Sequence, residues 1–339
     1  MSAIRQAVSH GLLWILFFLI SAGLGYPSLN RYNPRNQLPD AAVYARLATA
    51  DSAAIHDHFR LRILVPLLAH GVYRMTQGRT GTWDPLMFSF LVVNSWFVAT
   101  TAYLLCAVGI TLLSTRSVAL LGAALYLLNF AIANLQLAAL IDSAEACLLM
   151  AVVASMFYRR WFLLPVLGAI GALAKESFVP FSIAMATAWL LAESDEKFRL
   201  RRAVWIATMA VVEVITLTEL QSSISGHAVW PWAFMTGMSS PTNYGTNLLH
   251  SFIDRNSWYI LIWLLPLGLA GIKLFPRPWK FAAAAGALTA LALNAYHSTV
   301  SGGGGGIGRY VFNIAGPLLS LSAAAFLSQH DLRRPAALD

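Results

Sequence analysis

The sequence predicts an all-α polytopic membrane protein of about ten transmembrane helices, with a first outer loop that carries short surface helices. Three observations predict it. Of 339 residues, 58% are apolar and only 11% charged, and the mean hydropathy is +0.63, the composition of a chain solvated by lipid rather than water. The apolar residues gather in runs of roughly membrane length, separated by short polar joints. Lysine and arginine fall mainly on one side of those runs. Residues 1–339 therefore read as a single membrane domain.

The net charge of +8 and pI near 9.7 do not point to nucleic acid. No soluble module carries a basic stripe, and clustering at membrane edges accounts for the charge. Cys106 and Cys147 both lie inside apolar runs, so they offer neither a metal-ligand spacing nor a disulfide framework.

The first run, 11–25 (GLLWILFFLISAGLG), follows Arg5 and reads as an uncleaved first span. The small pair Ser21 and Gly23 makes a cleaved signal peptide the alternative. Residues 26–84 then form a long outer loop, which packs Asp40, Asp51, His56, Asp57, His58, Arg60 and Arg62 into twenty-three positions. Within it, 61–77 are apolar on one side but interrupted by Pro66, His70 and Arg74, which predicts a helix lying on the outer surface rather than a span. Runs at about 85–113, 117–140, 143–158, 161–174, 177–192, 203–221, 257–275, 279–296 and 309–328 bring the spans to ten. The short runs 161–174 and 177–192 flank Lys175 and Glu176, which suits half-helices or a hairpin dipping from one face. Residues 222–256 form a second large outer loop. Its Trp230 and Trp232 read as interface anchors.

With the N-terminus inside, thirteen of the twenty-three lysines and arginines fall on the inner side: Arg5, Arg116, Arg159, Arg160, Lys197, Arg199, Arg201, Arg202, Lys273, Arg277, Lys280, Arg333 and Arg334. Seven of the other ten belong to the long 26–84 loop, where the bias is weak. The expectation is a multi-pass protein of a bacterial inner membrane with both termini cytoplasmic. Asp40, Asp142, Glu145, Lys175, Glu176 and Arg309 then gather at the outer level, and polar groups at membrane depth are costly enough to imply a cavity there.

Each of these groups admits a structural and a chemical role. Asp40 follows Pro39 and suits both an N-terminal helix position and a general base held over a cavity. The stretch His56–Asp57–His58 matches no standard metal spacing. Arg60 and Arg62 suit phosphate contact or headgroup anchoring equally. Asp142 and Glu145 lie one turn apart and share a face. Lys175 suits a phosphate, or an ion pair within the turn. Arg309, after the run SGGGGGIG, opens the last span. That run is not a phosphate loop, because no Gly-Lys-Ser/Thr follows it.

Five elements occur in a telling order: Asp40, Tyr44, Leu47 and Ala48; Arg62, Leu64, Pro66, Leu67 and Leu68; Asp142 to Glu145; Lys175 to Ser177; and Arg309, Tyr310 and Pro317. In this order they resemble integral-membrane glycosyltransferases of the C-type fold. The resemblance implies transfer of a sugar from a polyprenyl-phosphate carrier to a lipid or glycan acceptor at the outer face. By the same resemblance Asp40 is the base, with Lys175 and Arg309 as phosphate contacts and Arg60 or Arg62 in reserve. Tyr44, Asp142, Glu145, Glu176 and Tyr310 are expected to line the cavity. The acidic pair usual in the first loop is absent, since Ala41 follows Asp40, which keeps Asp51 and Asp57 as rival bases. A divalent metal is compatible with the sequence but not required by it, and no metal ligand is assigned. The alternative function is a secondary transporter or lipid flippase using Asp142, Glu145 and the intramembrane Glu213 as coupling groups, although the two halves of the chain show no internal repeat.

Overall fold

The structure, a computed structural model, describes residues 3–31, 39–49, 55, 57–230, 244–296 and 306–332. Among these, helices are the regular structure, and there is no strand. Four helical stretches are long and apolar enough to cross a membrane: Ala7–Asn30, Pro85–Leu113, Glu196–Ser225 and Ile307–Gln329. The first is 11% buried and the last 83%, so the last stretch lies inside the bundle and the first at its edge.

Helix α1 (Ala3–Tyr26) packs along α4 (Pro85–Leu113). Between them the first loop holds α2 (Pro39–Ala48), a single turn at Asp57–Arg60, and α3 (Leu64–Thr76). These are the short helices expected in 26–84. At 13 residues, α3 spans about 20 Å. It buries Val65, Pro66 and Ala69 and leaves Leu67, Leu68 and Met75 exposed. Asp84 caps α4 by accepting from the amides of Leu86 and Met87, with Pro85 preset for the first helical position.

Two expected runs are not single helices. In 117–140, α5 (Arg116–Leu127) stops where Asn129 binds its own backbone, accepting from the Ala131 amide at 3.0 Å. A short side-chain amide that competes with the helical ladder ends it. A wide turn at Ile132–Gln136 and the non-helical stretch 137–141 follow. In 257–275, the chain breaks between α11 (Arg255–Leu261) and α12 (Leu264–Ile272). Pro266 has no N–H for the carbonyl one turn earlier, and its ring crowds that turn. The second large loop also gains a helix, α10 (Tyr244–Ile253).

The remaining elements are α6 (Asp142–Phe157), α7 (Leu164–Ala174), α8 (Phe178–Ala192), α9 (Arg199–Ser225), α13 (Arg277–Tyr296) and α14 (Gly306–Leu332). Helix α14 is central, touching α5, α11, α12 and α13. The pair α7 and α8 does not form a tight hairpin: α7 packs mainly on α9, and α8 on α13. At the far end of α8, Arg202 opens α9 against Glu193 and Asp195, with its Nη2 donating to Asp195 Oδ2 at 2.8 Å.

Close helix approach in lipid depends on small residues, and the contact of α12 with α14 shows it. A Cβ placed on Gly271 would sit 1.8 Å from the backbone oxygen of Ser322. Backbone cannot yield as a side chain can, so Gly271→Ala must push the helices apart. We expect a loss of at least about 1–3 kcal/mol, the usual range for overpacking. Thermal unfolding of the purified variant in detergent checks this, and an unshifted midpoint would contradict the contact.

Candidate active site

Five chain-distant elements meet at one end of the bundle. The non-helical stretch before α6 aims the first of them. Ala139 takes the left-handed conformation, φ 58°, at a cost of about 1–2 kcal/mol for a residue with a Cβ. Asn94 of α4 steadies the turn, donating to the Leu140 carbonyl at 3.1 Å while accepting from Ser143 Oγ at 2.6 Å. Helix α6 therefore starts at Asp142 inside the protein, with Asp142 and Glu145 fully buried.

Lys175 reaches them from the break between α7 and α8, where its backbone is extended. That break is tight: a Cβ on Gly171 would lie 2.2 Å from the Phe178 ring, so only glycine admits the ring. Lys175 Nζ donates to Asp142 Oδ1 at 3.0 Å and Glu145 Oε2 at 3.1 Å, and lies 4.9 Å from the centre of the Tyr310 ring. Arg309, from the first turn of α14, donates to Asp142 Oδ2. One turn later Asn313 Nδ2 donates to Asp142 Oδ1 at 2.9 Å and Glu145 Oε2 at 3.0 Å. Ser177 Oγ donates to Glu145 Oε1.

A second group adjoins the first through the neighbouring residues Lys175 and Glu176. Arg62, between the Asp57–Arg60 turn and α3, makes a two-point contact with Glu176, its Nε lying 2.8 Å from Oε2. Its Nη1 donates to the Tyr44 hydroxyl at 2.9 Å. Phe59 closes this corner, edge-on to Tyr44 and beneath the Arg62 guanidinium. Burial pushes the Tyr44 phenol above its ordinary pKa, so it stays protonated. Burial also opposes the charge on Arg62, but the Glu176 carboxylate and the Tyr44 contact outweigh it and hold the guanidinium firmly charged.

The three cations Arg62, Lys175 and Arg309 thus face the three carboxylates Asp142, Glu145 and Glu176. Charges this deep are tolerable only when paired and hydrogen-bonded. Lys175 spends two of its three protons on carboxylates and shows only 4% of its side chain, whereas Arg309 shows 13% and Arg62 16%. Lys175 is therefore placed to hold the acids. Tyr44, Asp142, Glu145 and Glu176 are packed within the network rather than spread along an open wall, while Tyr310 is partly exposed.

Asp40 lies in the first turn of α2, half-buried, and is without an ion-pair partner among the described residues. It stands one turn before Tyr44 and so on the same face of α2. Arg60 is half-buried nearby in sequence. Asp51 and His56 lie outside the described residues, as do the side chains of Asp57 and His58. Among the described residues no group of three or more histidine, cysteine or acidic side chains could hold a metal ion. Glu213 stands apart on α9: Ser182 Oγ donates to its Oε1 at 2.7 Å, and it shares no hydrogen bond with Asp142 or Glu145.

Sequence reasoning missed a polar chain behind the acids. Tyr126 OH donates to Gln136 Oε1 at 2.9 Å, and Gln136 Nε2 donates to Asn313 Oδ1 at 3.1 Å. Asn313 thereby uses both amide protons and its oxygen. The available signal was an amide inside each of two apolar runs, Gln136 as one of three in 117–140 and Asn313 by itself in 309–328, four residues after Arg309. Comparison with known protein families and with curated proteins finds no match to this chain.

Proposed function

We propose that this protein is an integral-membrane glycosyltransferase, moving a sugar from a polyprenyl-phosphate carrier to an acceptor hydroxyl at the outer face of the membrane. One observation carries the reading: the ionic network draws together Tyr44, Arg62, the Asp142–Glu145 pair, Lys175–Ser177 and Arg309–Tyr310, the elements whose order suggested a transferase. In this reading the chain crosses a bacterial inner membrane ten times with both termini cytoplasmic: by the four long stretches, by α5, α6, α7 and α8, by the α11–α12 pair and by α13.

The reaction needs a base at the acceptor and cations at the departing phosphate. Asp40 takes the acceptor proton as the acceptor oxygen attacks the anomeric carbon. The bond from that carbon to the phosphate oxygen breaks, and polyprenyl phosphate leaves with the electron pair. Arg309, the more accessible of the two network cations nearest Tyr310, and Arg60 stabilise the phosphate. Lys175, Asn313 and Ser177 position the acids that hold Arg309, while Arg62 and Tyr44 fix α2 and with it Asp40.

The test is to reconstitute the purified protein in vesicles and supply a panel of polyprenyl-phosphate sugars with lipid or glycan acceptors. Labelled sugar appearing in the acceptor supports the reading. Movement of the lipid-linked sugar across the bilayer with no transfer, and loss of that movement in Glu213→Gln, would replace it with transport.

A further inference from the structure

We infer that the opposite end of the molecule carries a binding site for an anionic phospholipid, in the cleft between the start of α1 and the start of α5. The cleft measures about 510 Å³ and is lined by Arg5, Val8, Ser9, Leu12, Leu13, Leu16 and Arg116. Two exposed arginines thus meet a row of aliphatic side chains. Among the described residues neither arginine has an ion-pair partner, so both guanidiniums are open to an anion.

The level follows from how α1 and α4 pair. Trp14 Nε1 donates to Thr100 Oγ1 at 3.1 Å, and the Tyr103 hydroxyl meets His10 Nδ1 at 3.1 Å. As one number falls the other rises, so the helices run antiparallel. Arg5 therefore lies toward the end of α4, and α5 begins three residues after that end, at Arg116. Both arginines also belong to the side that the charge bias assigns to the cytoplasm, where membrane surfaces carry anionic lipid.

The apolar row fits one acyl chain. Val8, Leu12 and Leu16 are 55%, 61% and 51% exposed, and they repeat every four residues along one face of α1. From Arg5 to Leu16 the helix rises about 16 Å, and one leaflet of a hydrocarbon core is about 15 Å deep. A headgroup phosphate held by the two forked guanidiniums places its chain along that row. Phosphate alone would use the arginines and leave the row empty, so the occupant is a lipid.

Delipidated protein in detergent, titrated with phosphatidylglycerol or phosphatidylcholine and read by native mass spectrometry, tests the site. We expect phosphatidylglycerol to bind in preference, and Arg5→Gln/Arg116→Gln to weaken it about thirty-fold, each cation near an anionic surface contributing about 1 kcal/mol. Arg159→Gln/Arg160→Gln removes two exposed inner-side arginines outside the cleft and should leave the affinity unchanged. Equal binding of phosphatidylcholine by the wild-type protein overturns the inference without any variant. Equal weakening in the control pair reduces the site to general surface charge, and displacement of the lipid by inorganic phosphate removes the acyl chain from it.

Discussion

Lys175→Met is expected to cost the protein about 3–5 kcal/mol, the usual consequence of removing one member of a buried charge pair. Lys175 is the direct counterion of both Asp142 and Glu145, whose side chains are fully buried. Without it two fully buried carboxylates face one guanidinium. Against a typical total of about 5–15 kcal/mol, the loss should strongly lower the thermal midpoint in detergent. Lys175→Met/Glu145→Gln restores charge balance by removing one cation and one anion, and should recover part of the midpoint. If the single variant melts with the wild type, the network does not hold this end together. If the double variant is as unstable as the single, packing of the lysine stem and not its charge is what matters.

In the proposed reaction, Asp40→Asn is expected to reduce transfer by about 10²–10⁴-fold, the range that a positioned base contributes, while leaving the fold in place. The separation of the two effects rests on location. Among the described residues Asp40 is half-buried and in no ion pair, so asparagine keeps its volume and removes no described ionic contact. The first turn of α2 loses a favourable carboxylate, which is worth about 0.3–1 kcal/mol. The decisive measurement is initial rate at saturating donor beside the thermal midpoint of the same preparation. A variant that keeps both its midpoint and its rate transfers the role to Asp51 or Asp57, and matched asparagine variants at those positions then identify the base.

The candidate site was legible in outline because of cost. Asp142, Glu145, Lys175, Glu176 and Arg309 interrupt apolar stretches, and a charge in such a setting must find a partner or a wet cleft. Arg62 was legible as a loop arginine suited to phosphate or headgroups, and Tyr44 only as part of an ordered set of motifs. Gln136 and Asn313 were passed over because a neutral amide in an apolar run is cheap enough to be structural, and its importance depends on what it touches. The run 117–140 misled for a related reason. Its hydropathy is continuous, but Asn129 and the left-handed Ala139 break the helix through local geometry, which mean apolarity does not record.

By itself the sequence determined the helical, strongly apolar class of this protein, its short helices in the first loop, and the few charges that could not be left alone in an apolar setting. Each follows from local composition and period, because hydration and the hydrogen-bonded backbone act residue by residue. Only the tertiary structure decided which partner each charge received: Arg62 with Glu176 across 114 residues, and Arg309 with Asp142 across 167. Burial sets the need for a counterion, but side chains reach only a few ångströms. Choosing among several eligible partners therefore falls to the packing of α6, α8 and α14, where a turn's shift in any one of them changes which groups meet.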